Sequence, residues 1–360
     1  MVDLSIDFAD VKLEFPTVVA PGPLTKDGPS VKKAAQQYGV GAVVVKTVYP
    51  KEDDTPRPSM AALKGSSMIN HDWSALSAEQ FSKQIKIAKE GKKPIIISIL
   101  GGIEDEVKMA KLLEDAGADM LELPIGVPTL EQLQNDIRRI KETVEIPIGV
   151  KIGPDILDIP KYARGIEHAG ADYISGINTL GPALAIDVTT GRPLLGSKFG
   201  FGYVSGPAIK PIALRCVAEI ARSVKIPVLG GGGISDGKDA VEFFMAGATC
   251  VHLHTAAILK GLGAFAKIVK EIDEFLNASG YDSLEEVRGM SLKYLIEEPS
   301  FDLRTPTVDP DLCNGCGVCE RVCVYDAIKV HEGVTKTDKE ACFGCGLCAT
   351  MCPTRAIKFG

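Results

Sequence analysis

Eight short apolar runs that alternate with amphipathic stretches predict a (β/α)8 barrel. A repeated cysteine pattern near the C-terminus predicts a second, small α+β domain. A doubly wound open sheet is the alternative for the first part. The expected strands are Thr17–Ala20, Ala42–Lys46, Pro94–Ile99, Asp119–Leu123, Pro147–Lys151, Tyr173–Ser175, Pro227–Leu229 and Thr249–Leu253. Most are nearly unbroken apolar runs, as strands covered on both faces require. Helices are expected between them, among them Glu104–Ala116, Leu130–Val144, Pro207–Ser223 and Lys238–Ala246.

Three helices run into a small-residue stop and then a strand: Ala116-Gly117-Ala118-Asp119, Ala169-Gly170-Ala171-Asp172 and Ala246-Gly247-Ala248-Thr249. Glycine there ends the helix and turns the chain back to the sheet. Two strands follow an Ile-Pro step, at Ile146-Pro147 and Ile226-Pro227. The barrel is placed at 1–280, a turn-rich connecting segment at 281–306 and the small domain at 307–360.

Eight of the ten cysteines fall in the last 48 residues. Cys313, Cys316, Cys319 and Cys323 have the spacing C-x2-C-x2-C-x3-C, and Cys342, Cys345, Cys348 and Cys352 repeat it. This is the ferredoxin run for two 4Fe-4S clusters, in which the fourth cysteine of each run ligates the other cluster. One cluster is thus expected on Cys313, Cys316, Cys319 and Cys352, the other on Cys342, Cys345, Cys348 and Cys323. Both runs read C-x-G-C-G-x-C, and Ala-Ile-Lys recurs at one offset after each. Paired C-x2-C also suits zinc, but zinc gives no reason for the third step followed by x3.

Net charge of −7 argues against nucleic acid as partner. No apolar run is long enough for a membrane span, and the N-terminus has no secretory pattern. Cysteines committed to clusters imply a reducing, cytoplasmic setting. Cys216 and Cys250 are left over and are expected as small buried hydrophobes.

In this fold, chemistry sits at the C-terminal ends of the strands. Those ends read Ala20-Pro21-Gly22, Lys46-Thr47, Asn70, Glu122, Lys151, Asn178-Thr179, Ser205-Gly206, Gly230–Gly233 and His254-Thr255. The glycine run lets backbone amides approach a phosphate. Lys46 and Lys151, each finishing an apolar strand, belong near an anion or an electron-rich ring. A phosphate site, two lysines and an iron–sulfur tail together suggest FMN, which links one-electron traffic to hydride chemistry.

These residues resemble the dihydroorotate dehydrogenase superfamily. The chain looks most like the flavin barrel and iron–sulfur domain of dihydropyrimidine dehydrogenase. The strongest piece is Tyr203-Val204-Ser205-Gly206-Pro207-Ala208-Ile209-Lys210-Pro211-Ile212-Ala213-Leu214; Val45-Lys46-Thr47, Met120–Leu123 and Val150-Lys151-Ile152 support it. The resemblance implies FMN on Ala20, Gly22, Lys46, Thr47, Lys151, Asn178, Gly206, Gly232, Gly233, His254 and Thr255. It implies a substrate facing Asn70, Asn178 and Thr179, and a homodimer.

One loop departs from the family. Pro124 stands where the family has a substrate-binding Asn, and Val127 where it has a proton-transferring Cys or Ser. Valine cannot move a proton. His71 is the substitute candidate, with Tyr49 and Thr129 behind it; His252 reads as a satisfied core residue. The expected function is therefore an oxidoreductase acting on a CH–CH or C=C bond of a small cyclic or conjugated substrate. Without a second glycine-rich nucleotide fingerprint, electrons would pass to ferredoxin or a separate electron-transfer subunit. The alternatives are dihydropyrimidine or dihydroorotate chemistry with a substitute acid, or an electron-transfer flavoprotein subunit.

Overall fold

The computed structural model describes residues 2–125, 129–295 and 302–359. Val127 and its neighbours Gly126 and Pro128 lie outside the described residues, as do 296–301. The chain divides into two units, Met1–Leu295 and Ile296–Gly360.

In the first unit all eight expected apolar runs form strands: β1 (Thr17–Val19), β2 (Ala42–Val48), β3 (Ile95–Ile99), β4 (Met120–Pro124), β5 (Ile148–Ile152), β6 (Tyr173–Gly176), β7 (Val228–Gly231) and β8 (Cys250–Leu253). Every neighbouring pair is parallel, and β8 pairs with β1 to close the barrel. Side chains from alternate positions fill the interior. Val18, Val44, Ile96, Met120, Tyr173 and Leu229 form that inner cluster. Phe8, from an N-terminal hairpin of Ile6–Phe8 and Val11–Leu13, packs into the same cluster. The Tyr173 ring occupies the space a side chain on β5 would need: a Cβ on Gly149 would lie 2.0 Å from it.

The sequence signals act through specific hydrogen bonds. Gly117, Gly170 and Gly247 all take positive φ, which stops each helix and reverses the chain. The aspartates after two of these stops serve the neighbouring strand. Asp119 Oδ2 accepts Ile95 N and Asp172 Oδ2 accepts Ile148 N, both at 2.7 Å. The residues before the Ile-Pro steps are held in the same repeated way. Glu114 Oε1 accepts the amides of Glu145 and Ile146, and Glu167 Oε1 those of Lys225 and Ile226. Proline has no N–H to offer, so a carboxylate satisfies the two amides just before it.

Two insertions make a four-stranded antiparallel sheet that the strand pattern did not predict. Its order is Leu180–Leu184, Phe201–Ser205, Ser67–Asn70, Met60–Leu63. Asn70 and Ser205, read from sequence as barrel-strand ends, belong to this sheet instead. Lys46 is likewise not terminal, because β2 continues to Val48. Within 281–295, Leu284 and Val287 are buried in the core of the first unit.

The second unit shows the duplication in its hydrogen bonds. Asp309 N donates to Ala356 O, and Asp338 N to Ala327 O. Each aspartate carbonyl then accepts the amide of the first cysteine of a run, Cys313 or Cys342. The helices Val318–Val322 and Leu347–Thr350 lie within the two runs, each carrying the third cysteine, and Ile328–His331 pairs with Val334–Thr337. Among the described residues no helix is long and apolar enough to cross a membrane.

Candidate functional site

A cavity of about 380 Å³ opens at the C-terminal ends of the barrel strands. Residues at or just beyond the end of every strand line it, and the antiparallel sheet contributes Met60, Asn70, Gly181, Tyr203 and Ser205. All the residues expected at a flavin line this cavity: Ala20, Gly22, Lys46, Thr47, Lys151, Asn178, Gly206, Gly232, Gly233, His254 and Thr255. Asn70, Thr179 and His71 line it too.

Two buried lysines sit in it, each near a carboxylate. Lys46 Nζ is 2.6 Å from Asp72 Oδ2 and donates at 3.2 Å to Asp72 O. Burial lowers the Lys46 pKa, and Asp72 opposes that shift. Burial pushes Asp72 up, yet hydrogen bonds from Lys46 and Ser74 hold it below the usual carboxylate range. Lys151 Nζ lies 3.9 Å from Glu122 Oε1. Burial lowers the pKa of Lys151 as well, only partly offset by Glu122. Among the described residues neither oxygen of Glu122 has a hydrogen-bond partner, nor has Ser175 Oγ or His252 Nδ1. His252 is therefore not the satisfied core histidine expected from sequence. Such buried orphans are rare and mark a place where a polar group is still to be satisfied.

Backbone shape completes the cradle. Gly206, Gly232 and Gly233 all take positive φ. A Cβ on Gly233 would lie 2.8 Å from Lys210 Cβ and 2.9 Å from Gly206 O. Thr255 Oγ1 donates to Ser205 Oγ at 2.8 Å, holding the end of β8 against the antiparallel sheet. His254 is pushed down to about 4 by burial and by the charges of Lys151 and Lys46, so it is neutral near pH 7.

His71 follows the strand Ser67–Asn70. Its Nδ1 accepts from Trp73 Nε1 at 3.3 Å, which assigns its proton to Nε2. Its main chain is held on both sides, by Ser59 O and by Thr55 Oγ1. Thr129 is engaged elsewhere: its Oγ1 caps the helix Leu130–Lys141 by accepting Gln132 N. Sequence reading missed Asp72, Trp73 and Ser98 as lining residues. An acid two positions after Asn70 was the available signal for a partner to Lys46.

The cysteines of the second unit group across the two runs. Cys323 shares a small apolar cavity with Cys342, Cys345 and Cys348. Hydrogen bonds from Thr335 and Gly315 hold the Cys313 thiol below its usual range, opposed slightly by the charge of Cys352. Cys216 and Cys250 are buried away from the runs, and burial raises both thiols.

Comparison with known proteins gives the same division. Residues 3–276 match the family described as dihydroorotate dehydrogenase, and residues 312–356 match a 4Fe-4S dicluster domain. A dihydroorotate dehydrogenase B (NAD(+)) catalytic subunit of Methanothermobacter thermautotrophicus is 34% identical over 301 residues, 80% of this chain and 98% of its own length. The corresponding subunit of Pyrococcus abyssi is 34% identical over 309 residues, 81% of this chain and 99% of its own. About one fifth of this chain lies outside each of those alignments.

Proposed function

This chain belongs to the dihydroorotate dehydrogenase family, and from that premise we propose that it is an FMN- and iron–sulfur-dependent oxidoreductase for a small cyclic or conjugated substrate. The family membership itself makes it an oxidoreductase acting on CH–CH bonds. The observation that carries the rest is the cavity lined by residues at or just beyond the end of every barrel strand.

FMN fits the residues present. The glycine cradle at Gly206, Gly232 and Gly233 excludes side chains where a phosphate would approach amides. Among the described residues His252 Nδ1 has no hydrogen-bond partner, and Lys151 Nζ is no closer than 3.9 Å to its carboxylate, so both lining side chains have polar atoms to offer. Gly206, Gly232, Gly233 and Thr255 would hold the phosphate end; Ala20, Gly22, Lys46, Thr47, Lys151, Asn178 and His254 would hold the remainder. Bound FMN supplies hydride exchange with substrate and one-electron exchange with iron–sulfur centres.

The remaining roles fall to side chains. Asn70, Asn178 and Thr179 orient the substrate ring through hydrogen bonds. His71 gives the Nε2 proton to the substrate carbon in the reducing direction and, with Nε2 free of its proton, takes one from it in the oxidising direction. Lys46 and Asp72 keep a compact ion pair at the cavity wall, fixing the loop on which His71 rides. The covering sheet restricts water. In the second unit the two cysteine sets would hold two 4Fe-4S clusters, and electrons would leave to ferredoxin or to a separate subunit. The relatives are catalytic subunits, which supports a separate subunit. A homodimer in a cytoplasmic setting completes the reading.

The same relatives favour a second reading, in which dihydroorotate is itself the substrate. An anaerobic titration of the cluster-loaded protein separates the two. Dihydroorotate, dihydrouracil and dihydrothymine are added in turn while flavin absorbance is followed. Failure of all three to bleach a flavin that dithionite reduces is expected for a repurposed pocket. Rapid bleaching by dihydroorotate establishes the second reading. A purified chain that retains no flavin overturns both.

A further inference from the structure

The two halves of the second unit are related by a shift of 29 residues, from Cys313 to Cys342. The match extends to solvent exposure. In each half the first and fourth cysteines are partly buried, the second is exposed and the third is buried. The backbone bonds around the first cysteine of each run also repeat. By these measures the two ligand sets are twins.

Their hydroxyl partners differ. Thr335 Oγ1 lies 3.5 Å from Cys313 Sγ and 3.2 Å from Cys319 Sγ. Thr354 Oγ1 lies 3.6 Å from Cys352 Sγ. All three sulfurs belong to one set, that of Cys313, Cys316, Cys319 and Cys352. Shifting by 29 residues gives the counterparts. Thr335 corresponds to Pro306, which is also buried but has no hydroxyl. Thr354 corresponds to Tyr325, whose ring stacks on Phe343 with centroids 5.0 Å apart. Among the described residues no side-chain hydroxyl bonds to Cys323, Cys342, Cys345 or Cys348.

Hydrogen bonds to the sulfurs stabilise the more negative, reduced form of a cluster and so raise its potential. With exposure and the first cysteine's amide bond matched, the hydroxyls are the side-chain difference between the two sets, and backbone amides of Thr335, Thr354, Ala356 and Ile357 reach sulfurs of the same set. Resting on the reading that this unit holds two 4Fe-4S clusters, we propose that Thr335, helped by Thr354, makes the Cys313/Cys316/Cys319/Cys352 site the higher-potential one and thus the resting place of the electron. In the exchange, one electron leaves the Cys323/Cys342/Cys345/Cys348 site, which is oxidised by one. The other site is reduced by one, and no bond or proton changes hands. Thr335 acts through the thiolates, as a potential-setting residue.

The test is an anaerobic dithionite titration of the full cluster-loaded chain, followed by electron paramagnetic resonance at defined potentials. The wild-type protein should show two separated midpoints. Thr335→Val, which keeps the shape and removes the hydroxyl, should lower the upper midpoint and leave the lower one in place. The expected shift of the equilibrium between sites is about tenfold, which is about 59 mV for one electron. Thr335→Ser should restore it, and Thr354→Val should move the same midpoint by less. Unchanged midpoints in Thr335→Val, or a fall in the lower one, overturn the assignment. Should Thr335→Val fail to load iron, Thr354→Val alone decides by the same criterion. Iron and sulfide content of only one cluster in the wild type overturns the two-cluster reading, a result distinct from two clusters with unmoved potentials.

Discussion

Lys46 Nζ stands 2.6 Å from Asp72 Oδ2, so one ion pair ties barrel strand β2 to the loop that leaves the covering sheet. Both side chains are roughly nine-tenths buried, at 9% and 11% exposure. At that depth, removing one partner leaves the other charge uncompensated. Asp72→Ala should cost about 3–5 kcal/mol in urea unfolding. The double variant Lys46→Met with Asp72→Leu should recover most of it. Equal losses in the single and double variants would show the pair to be uncoupled.

His71 is expected to move the substrate proton. Once a reducing substrate is found, His71→Gln should lower kcat/KM by about 10²–10⁴-fold. Reduction by dithionite should stay unchanged, since it needs no proton relay at the substrate. Trp73→Phe, which removes the indole N–H that fixes the imidazole tautomer, should reduce the rate less. A His71→Gln protein as fast as the wild type returns the search to Tyr49.

Gly233→Ala places a Cβ within 2.8 Å of Lys210 Cβ in a left-handed backbone conformation. Strain of this kind costs about 1–3 kcal/mol. The variant should fold, judged by far-ultraviolet circular dichroism, but purify with much less flavin. Full flavin content would exclude this turn from the phosphate site.

Glu106, which does not line the cavity, carries a pH signature. Burial raises it to about 7, against an opposing hydrogen bond from Gly101 N, with Asp136 adding to the rise. A raised folded-state pKa favours the protonated form in the native protein. Its contribution is therefore complete below pH 4.5 and is lost as pH rises through about 7. Glu106→Gln should raise stability at pH 8 by up to about 2–3 kcal/mol and change little at pH 4.5. Thermal melts at the two pH values check this; equal Tm shifts at both would contradict the burial argument.

Local signals made much of this legible in sequence. The barrel strands are unbroken apolar runs, and the cysteine runs are fixed spacings within a dozen residues. What stayed hidden depended on distant pairing. Ser67–Asn70 and Phe201–Ser205 are short, weakly patterned segments that become strands only by pairing with each other and with Met60–Leu63 and Leu180–Leu184. Asn70 does line the cavity, but from the antiparallel sheet and not from the end of a barrel strand. Asp72 was passed over because its partner, Lys46, is 26 residues away. His252 looked apolar by its neighbours, and only the folded barrel reveals an unpaired ring nitrogen at the cavity floor.

Cys323 sits with Cys342, Cys345 and Cys348, while Cys352 answers to Cys313. On the proposed ligation each half of the tail would lend a sulfur to its twin, and neither half would be self-sufficient. Oxidation of one borrowed cysteine to a sulfenic or sulfonic acid would injure the site across the divide as well as loosen its own half. Damage at either site becomes shared damage, and repair has to treat the pair as one object.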